Sequence, residues 1–129
     1  MTIEEFFDNL RMIRDDFEWK IEPDIGWYTD GRFARRGWIR ARPKRGPAAG
    51  ALLDPIGAVC YSLRGKAYGE KSWSAAGREL GLQPEGTAEL NAAANARTWD
   101  GEPGARKPVE RLRSLREQLL DSLELAVRQ

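Results

Sequence analysis

The sequence predicts a single α+β domain of 129 residues: an N-terminal helix, a small antiparallel β-hairpin sheet, and a core of three to four later helices. Three observations lead to this prediction. Apolar residues recur at steps of three and four over residues 3–13, as on one face of a helix. They alternate with charged residues over 17–22, as in a half-buried strand. The most apolar stretch, residues 54–63, opens with a helix-start pattern and again has a helical period.

The first helix is predicted over residues 3–15. Thr2 and Glu5 have the spacing of a capping box, in which each side chain accepts a backbone N–H at the start of the helix. Glu4 and Glu5 also place negative charge in the first turn, where it complements the helix dipole. The apolar face consists of Ile3, Phe6, Phe7, Leu10, Ile13 and Phe17.

Residues 17–42 are predicted to form the hairpin region, as a sheet of two or three strands. Pro23 is expected to end the first strand, because proline has no N–H to donate to a neighbouring strand. Asp30-Gly31 lies between strand-like residues and is typical of a two-residue hairpin turn, which requires positive φ. Residues 37–42 are expected to form a further short strand.

A Pro- and Gly-rich loop is predicted over 43–53, and it leads into the helical part of the chain. Asp54 and Pro55 suit the cap and the first position of a central helix. Gly81 suits a helix end, and Pro84 and Pro108 suit helix starts. The predicted helices cover residues 54–66, 73–80, 85–97 and 108–127.

The net charge is +1, but the charges are unevenly distributed along the chain. Residues 1–30 carry a net charge of −6, residues 31–53 a net charge of +7, and residues 54–129 a net charge of zero. A basic block of this kind can bind a polyanion. In the alternative interpretation, the acidic N-terminal segment folds over the basic block and the two neutralise each other.

The residue types exclude most catalytic and metal chemistry. No histidine occurs, which removes the commonest general base near neutral pH and the commonest metal ligand. Cys60 is the one cysteine, so the chain has neither an internal disulfide nor the ligands of a zinc site. Cys60 falls on the apolar face of the central helix, where we expect a buried, inert thiol. We therefore predict a protein that is not an enzyme and has no metal and no cofactor.

Three other motifs have both a functional and a structural interpretation. Asp15-Asp16, with Glu18 and Glu22, have the chemistry of a cation site or an acid/base pair, but they also suit a solvated helix end. Residues 77–85 resemble the turn of a helix-turn-helix, although the helix that follows begins with acidic residues. We favour the structural interpretation of both motifs, and of the acidic loop at 100–102, and we keep a carboxylate-based enzyme as the least favoured class.

The strongest candidate for a partner-binding site is an arginine-rich segment with aromatic residues. Its members are Arg32, Phe33, Arg35, Arg36, Trp38, Arg40, Arg42, Lys44 and Arg45. Because Trp, Tyr and Arg are enriched at interface hot spots, we predict a small non-catalytic binding or regulatory protein that acts on an unknown protein partner. The alternative is nucleic-acid binding, in which the arginines hold phosphates and the rings stack on bases. The small net charge weighs against this alternative.

The last predicted helix carries an apolar seam of leucines at positions 112, 115, 119 and 123. Its two heptads are short for a coiled coil, so we expect the helix to pack on its own domain. The alternative is a homodimer formed through this helix. No apolar run approaches the roughly 20 residues of a membrane span, and the first residues lack the pattern of a secretory signal. We therefore expect a cytoplasmic protein without a membrane partner.

Four short segments resemble a group of small uncharacterised bacterial and phage proteins. The resemblance lies in Pro55-Ile56-Gly57-Ala58-Val59, in Ala75 with Leu80-Gly81-Leu82, in Ala93-Ala94-Asn95, and in residues 115–120. Proteins of this group combine an N-terminal helix and hairpin with three or four later helices. The resemblance implies the same fold and a stand-alone accessory protein, and it implies no activity.

Overall fold

A computed structural model describes residues 1–29 and 32–99 of the chain. The elements in order are α1 (Ile3–Ile13), a 3₁₀ turn (Arg14–Asp16), β1 (Phe17–Thr29), β2 (Arg32–Pro43), α2 (Pro55–Arg64), a second 3₁₀ turn (Glu70–Ser72), α3 (Trp73–Glu79), α4 (Pro84–Ala93) and β3 (Asn95–Trp99). The predicted α+β class is confirmed. Within these ranges, none of the helices combines the length and apolarity that crossing a membrane requires. The predicted Asp30-Gly31 turn, the 100–102 loop and the 108–127 helix lie outside the described residues.

Helix α1 begins with the predicted capping box. The Glu5 N–H donates to Thr2 Oγ1 (3.1 Å), and the Thr2 N–H donates to Glu5 Oε1 (2.8 Å). The α-helix ends at Ile13 rather than at residue 15, because the chain tightens into the 3₁₀ turn. The Trp19 indole N–H stabilises this end by donating to the Arg14 carbonyl (2.9 Å). The buried face of α1 consists of Phe6, Phe7, Leu10 and Ile13.

Strands β1 and β2 form one long hairpin, paired from Phe17 with Pro43 to Thr29 with Arg32. The prediction that Pro23 ends the first strand is wrong, since β1 continues through it with a shift of register before Ile25. Proline is tolerated here because β1 is an edge strand and the register shift marks a bulge. Residues 37–42 likewise belong to β2 and do not form a separate strand.

Strand β3 completes a sheet in the order β1-β2-β3 and corrects the prediction of a helix over 85–97. Helix α4 ends at Ala93, and Asn95–Trp99 pairs antiparallel with residues 34–38. The chain changes from helix to strand beside the edge of β2. The Ile39 N–H donates to the Ala94 carbonyl (2.8 Å), so the residues after Ala94 lie alongside β2. Thr and Trp at positions 98 and 99 also favour a strand.

Helix α2 is the centre of the core. The Gly57 N–H donates to Asp54 Oδ1 (2.7 Å) at its start, and Gly65 ends it with a φ of +73°. These bounds lie within the predicted range of 54–66. Helices α1, α3 and α4 and strand β2 pack around α2. The largest apolar side chains that are almost fully buried include Phe6, Ile39, Leu53, Ile56, Val59 and Leu90.

Helices α3 and α4 pack closely against each other across the turn at 80–83. A Cβ at Gly77 would lie 2.4 Å from Thr87 Cγ2, so only glycine fits this contact. Gly81 turns the chain with a φ of +76°, a conformation that glycine adopts without strain. The predicted helix over 73–80 agrees with α3 to one residue.

The segment between β2 and α2 is an ordered loop. The Gly50 N–H donates to the Pro43 carbonyl (3.0 Å), and two further turn bonds lie within residues 46–51. Leu53 then forms an isolated bridge with Ala41, with hydrogen bonds of 2.7 and 2.9 Å between the two backbones. This bridge fixes the start of α2, which follows at once, to the base of the hairpin.

Candidate interaction surface

The nine candidate partner-binding residues lie along β2 and the loop after it. Positions 32–42 belong to the strand, and Lys44 and Arg45 begin the loop. The segment therefore extends from the distal end of the hairpin to its base, where Pro43 pairs with Phe17. Positions 34–38 of this segment pair with both β1 and β3, whereas Ala41, nearer the base, pairs with β1 and forms the bridge with Leu53.

Three strands lie side by side at positions 34–38 of β2. Directly paired positions share a face of an antiparallel sheet, and so do positions two apart on one strand. Two adjacent rows on one face follow from the register: Trp27–Ala34–Trp99 and Ile25–Arg36–Arg97. We call these positions the tryptophan–arginine rows. They combine residues from all three strands.

Arg97 and Trp99 are members of these rows that the sequence interpretation missed. It assigned position 97 to the end of the predicted helix over 85–97 and placed no strand at position 99. The one local indication was the strand preference of Thr98 and Trp99, which is weak over two residues. Pairing with β2 decides the assignment, and pairing depends on residues about 60 positions earlier in the chain.

Arg40 lies inside the protein rather than on a free surface. Its residue is only 8% exposed, and its guanidinium carbon lies 5.4 Å from the centroid of the Trp38 ring. Its Nη1 donates to the Ile39 carbonyl (3.4 Å), and its Nε has no hydrogen-bond partner. Trp38 is half-buried beside it. The pair forms a cation–π contact that stabilises the hairpin.

Asp54 is the buried acidic residue of this region. Its residue is fully buried, and Oδ2 has no hydrogen-bond partner, whereas Oδ1 accepts the Gly57 N–H. Burial raises the pKa of Asp54 to about 6, and the Gly57 hydrogen bond and the positive charge of Arg40 oppose that increase. Asp54 therefore acts as a helix cap whose ionisation is disfavoured by its surroundings.

Arg42 stabilises the loop, whereas the two cations after it are exposed. Arg42 Nη1 donates to the Gly50 carbonyl (2.6 Å), which ties the loop to β2. Lys44 and Arg45 are exposed, and neither has an ion-pair partner among the described residues. Lys44 is fixed through its backbone, since its N–H donates to the Asp16 carbonyl (3.1 Å).

Arg45 lines a cleft of about 360 Å³ at the base of the hairpin. The Tyr61 hydroxyl accepts the Ala48 N–H (3.2 Å) beside this cleft. Gly46 has a φ of +94°, and a Cβ there would lie 2.4 Å from the Tyr61 hydroxyl, so glycine leaves the space that this ring needs. The lining residues are Asp16, Phe17, Pro43, Arg45, Gly46, Pro47, Tyr61, Ser62 and Gly65.

Among the described residues, Glu4 and Asp8 of α1 form no ion pair with Lys44 or Arg45. Helix α1 packs on α2 through its apolar face, which leaves Glu4 and Asp8 exposed. Neither has an ion-pair partner among the described residues. Lys44 and Arg45 therefore stay open to a partner, and neutralisation between residues 1–30 and 31–53 stays a prediction.

Other polar groups have structural surroundings. The predicted burial of Cys60 is confirmed, and burial raises the pKa of its thiol. Glu79 accepts hydrogen bonds from Lys66 Nζ (3.1 Å) and the Tyr68 hydroxyl (3.2 Å), which lower its pKa. In the described part of the chain, no three Cys, Asp or Glu residues lie together as metal ligands would.

Helix α4, the second helix of the possible helix-turn-helix, has the wrong charge for DNA. It contains no Lys or Arg and exposes Glu85. Comparisons with protein-family models, with curated proteins and with solved structures found no match to this chain. The function proposed below therefore depends on the geometry of this chain's own residues.

Proposed function

We propose that this protein is a small non-catalytic binding protein that recognises another protein through the tryptophan–arginine rows. The observation that carries the proposal is the register of the sheet, which sets Trp27 and Trp99 on either side of Ala34. The adjacent row adds Arg36 and Arg97 on the same face. Interface hot spots are enriched in Trp and Arg and cluster together, so this placement suits a protein interface.

The length of the hairpin supports the same function. Strand β1 has 13 residues, more than twice the usual 5–6, and is about 40 Å long. Among the described side chains, the hairpin residues in the core are Phe17, Trp19, Ile39 and Ala41. All four lie toward the base of the hairpin, next to α2 and the loop bridge. Backbone pairing of the two strands continues past these four residues to Thr29 and Arg32.

The number of basic side chains used within the fold favours a protein partner over a nucleic-acid partner. Residues 31–53 contain seven basic side chains. Arg40 is buried against Trp38, and Arg42 is bonded to the Gly50 carbonyl, so two of the seven are used within the fold. Nucleic-acid affinity depends on many Lys and Arg contacts to phosphates, and each one that is lost reduces it.

The test begins with the whole protein carrying a photo-crosslinker at position 29, next to the rows, to identify a partner. Calorimetry with the purified partner then compares Trp27→Ala and Arg36→Ala with Lys71→Ala, an exposed residue of the second 3₁₀ turn. We expect each of the first two variants to weaken binding by about 30-fold or more, as for a hot spot, and the Lys71 variant to bind normally. Circular dichroism verifies that all three variants are folded.

The same proteins are titrated into labelled DNA and RNA at low and physiological salt. Tight binding that falls steeply with salt and is lost in Arg36→Ala would overturn the protein-partner proposal in favour of nucleic acid. A partner that binds Trp27→Ala and Arg36→Ala as well as the original protein would show that the rows are not the interface.

A further inference from the structure

We propose that the cleft at the base of the hairpin binds an apolar α-amino acid as a zwitterion, with the ligand carboxylate at Arg45 and its ammonium group at Asp16. The cleft lies between the start of β1, the loop after β2 and the end of α2. It is separate from the tryptophan–arginine rows, which lie farther along the hairpin. This site is therefore an addition to the proposed protein interface.

The wall that carries Arg45 is held in place before any ligand binds. The Lys44 N–H donates to the Asp16 carbonyl (3.1 Å) on one side, and the Ala48 N–H donates to the Tyr61 hydroxyl (3.2 Å) on the other. Arg42 Nη1 adds a bond to the Gly50 carbonyl (2.6 Å). The loop is thus bonded to the 3₁₀ turn before β1, to β2 and to α2. A preformed wall reduces the ordering cost of binding a small ligand.

The hydrogen-bond donors that line the cleft can bind a ligand carboxylate. Arg45 has no ion-pair partner among the described residues, and its guanidinium can bind a carboxylate through two parallel N–H donors. The Tyr61 hydroxyl accepts from Ala48 and still has its own proton to donate. The exposed hydroxyl of Ser62 adds a further donor to the lining.

The Asp16 carboxylate, which also lines the cleft, can bind a ligand ammonium group. The Asp16 side chain is exposed, lines the cleft and has no ion-pair partner among the described residues. An ionised carboxylate only accepts hydrogen bonds, so it attracts a cationic donor and repels a dianion such as phosphate. A ligand with both charges satisfies Asp16 and Arg45 together.

The remaining lining sets the size and polarity of the ligand. The exposed Pro47 and the half-buried Tyr61 ring contribute apolar surface, which suits an apolar side chain, whereas Phe17 and Pro43 are buried beneath the lining. A volume of about 360 Å³ is at the small end of ligand pockets, which range from about 300 to 1,000 Å³. An amino acid such as phenylalanine combines these properties with the two charges.

The experiment is an NMR titration of the whole ¹⁵N-labelled protein with three matched ligands. L-phenylalanine carries both charges, phenylalaninamide lacks the carboxylate, and N-acetylphenylalanine lacks the ammonium group. We expect saturable shifts at the amides of Arg45, Gly46 and Ser62 with phenylalanine. The two analogues should bind about tenfold more weakly or worse, the loss expected for one charged hydrogen bond.

Two variants and a control assign the contacts. Arg45→Met should weaken phenylalanine binding about tenfold or more, and Asp16→Asn should remove the preference for phenylalanine over its N-acetyl form. Lys44→Met removes the neighbouring exposed cation, which does not line the cleft, and should bind as the original protein does. The absence of saturable shifts in the original protein, or equal binding by Arg45→Met and Lys44→Met, would overturn the proposal. Neither result bears on the proposed protein interface at the tryptophan–arginine rows.

Discussion

Replacing Asp54 by asparagine isolates the cost of ionising a buried carboxyl group at the start of α2. Asparagine caps helices about as well as aspartate, so the bond from the Gly57 N–H (2.7 Å) has a replacement. The variant cannot ionise, however, and so resembles the neutral form of Asp54. We expect the stability of Asp54→Asn relative to the original protein to increase as the pH rises from about 4 to about 7.

The sign and size follow from proton binding. Folding raises the pKa of Asp54 from its ordinary 3.8 to about 6, so between these values the folded protein binds more protons than the unfolded chain. The stability that Asp54 contributes is complete below pH 3.8 and is lost as the pH rises through about 6. For this fully buried group the loss amounts to about 3 kcal/mol. Asparagine does not titrate, so the variant avoids the loss.

Urea unfolding followed by tryptophan fluorescence measures the free energy of unfolding of both proteins across this pH range. Asp8→Asn is the control, because it removes an exposed carboxylate of α1 and leaves the core unchanged. Its difference from the original protein should stay within about 0.5 kcal/mol at every pH. If the difference for Asp54→Asn is equally constant, Asp54 ionises as easily when folded as when unfolded, and the reasoning is refuted.

Glycine packing, helix capping and thiol burial give three further predictions. Gly77→Ala should lower the free energy of unfolding by about 1–3 kcal/mol, because the new Cβ would lie 2.4 Å from Thr87 Cγ2. Gly69→Ala, in open space, should leave it unchanged or raise it by up to about 1 kcal/mol, and equal losses in the two variants would contradict this account. Thr2→Ala should cost about 1 kcal/mol in urea unfolding through loss of the capping box, and Thr2→Ser should restore it. Cys60 should react with a thiol reagent in parallel with unfolding as urea is added, whereas rapid reaction of the folded protein would show that the thiol is accessible.

The helices were predictable because their signals are local. Thr2 and Glu5 marked the start of α1, and Asp54 with Pro55 marked the start of α2. Each signal depends on residues within a few positions of each other, and the buried faces followed from the period of three and four. The ends were less well defined, as at Ile13, where the helix tightens into a 3₁₀ turn before residue 15.

The sheet was predictable only where its partners are close in sequence. The alternation at 17–22 indicated β1, but whether Pro23 ends a strand depends on the strand's place in the sheet, which a local pattern does not contain. The identity of β3 depends on the edge of β2, and the burial of Arg40 depends on packing around that edge. The sequence therefore predicted the candidate site as a segment, and the structure distinguishes the buried Arg40 from the exposed Lys44 and Arg45.

The place of β3 in the chain has a consequence for the order of folding. Ala34 pairs with Trp99, 65 positions later (99 − 34), whereas β1 and β2 are consecutive and α2 follows the bridge at Leu53 closely. Closing a long loop costs more entropy, and distant contacts form slowly. We expect the hairpin and α2 to assemble first and β3 to add after α3 and α4 have packed. A chain still emerging from the ribosome would then lack Arg97 and Trp99, two of the six positions of the tryptophan–arginine rows, so the partner recognition that we propose would begin only once the sheet is complete.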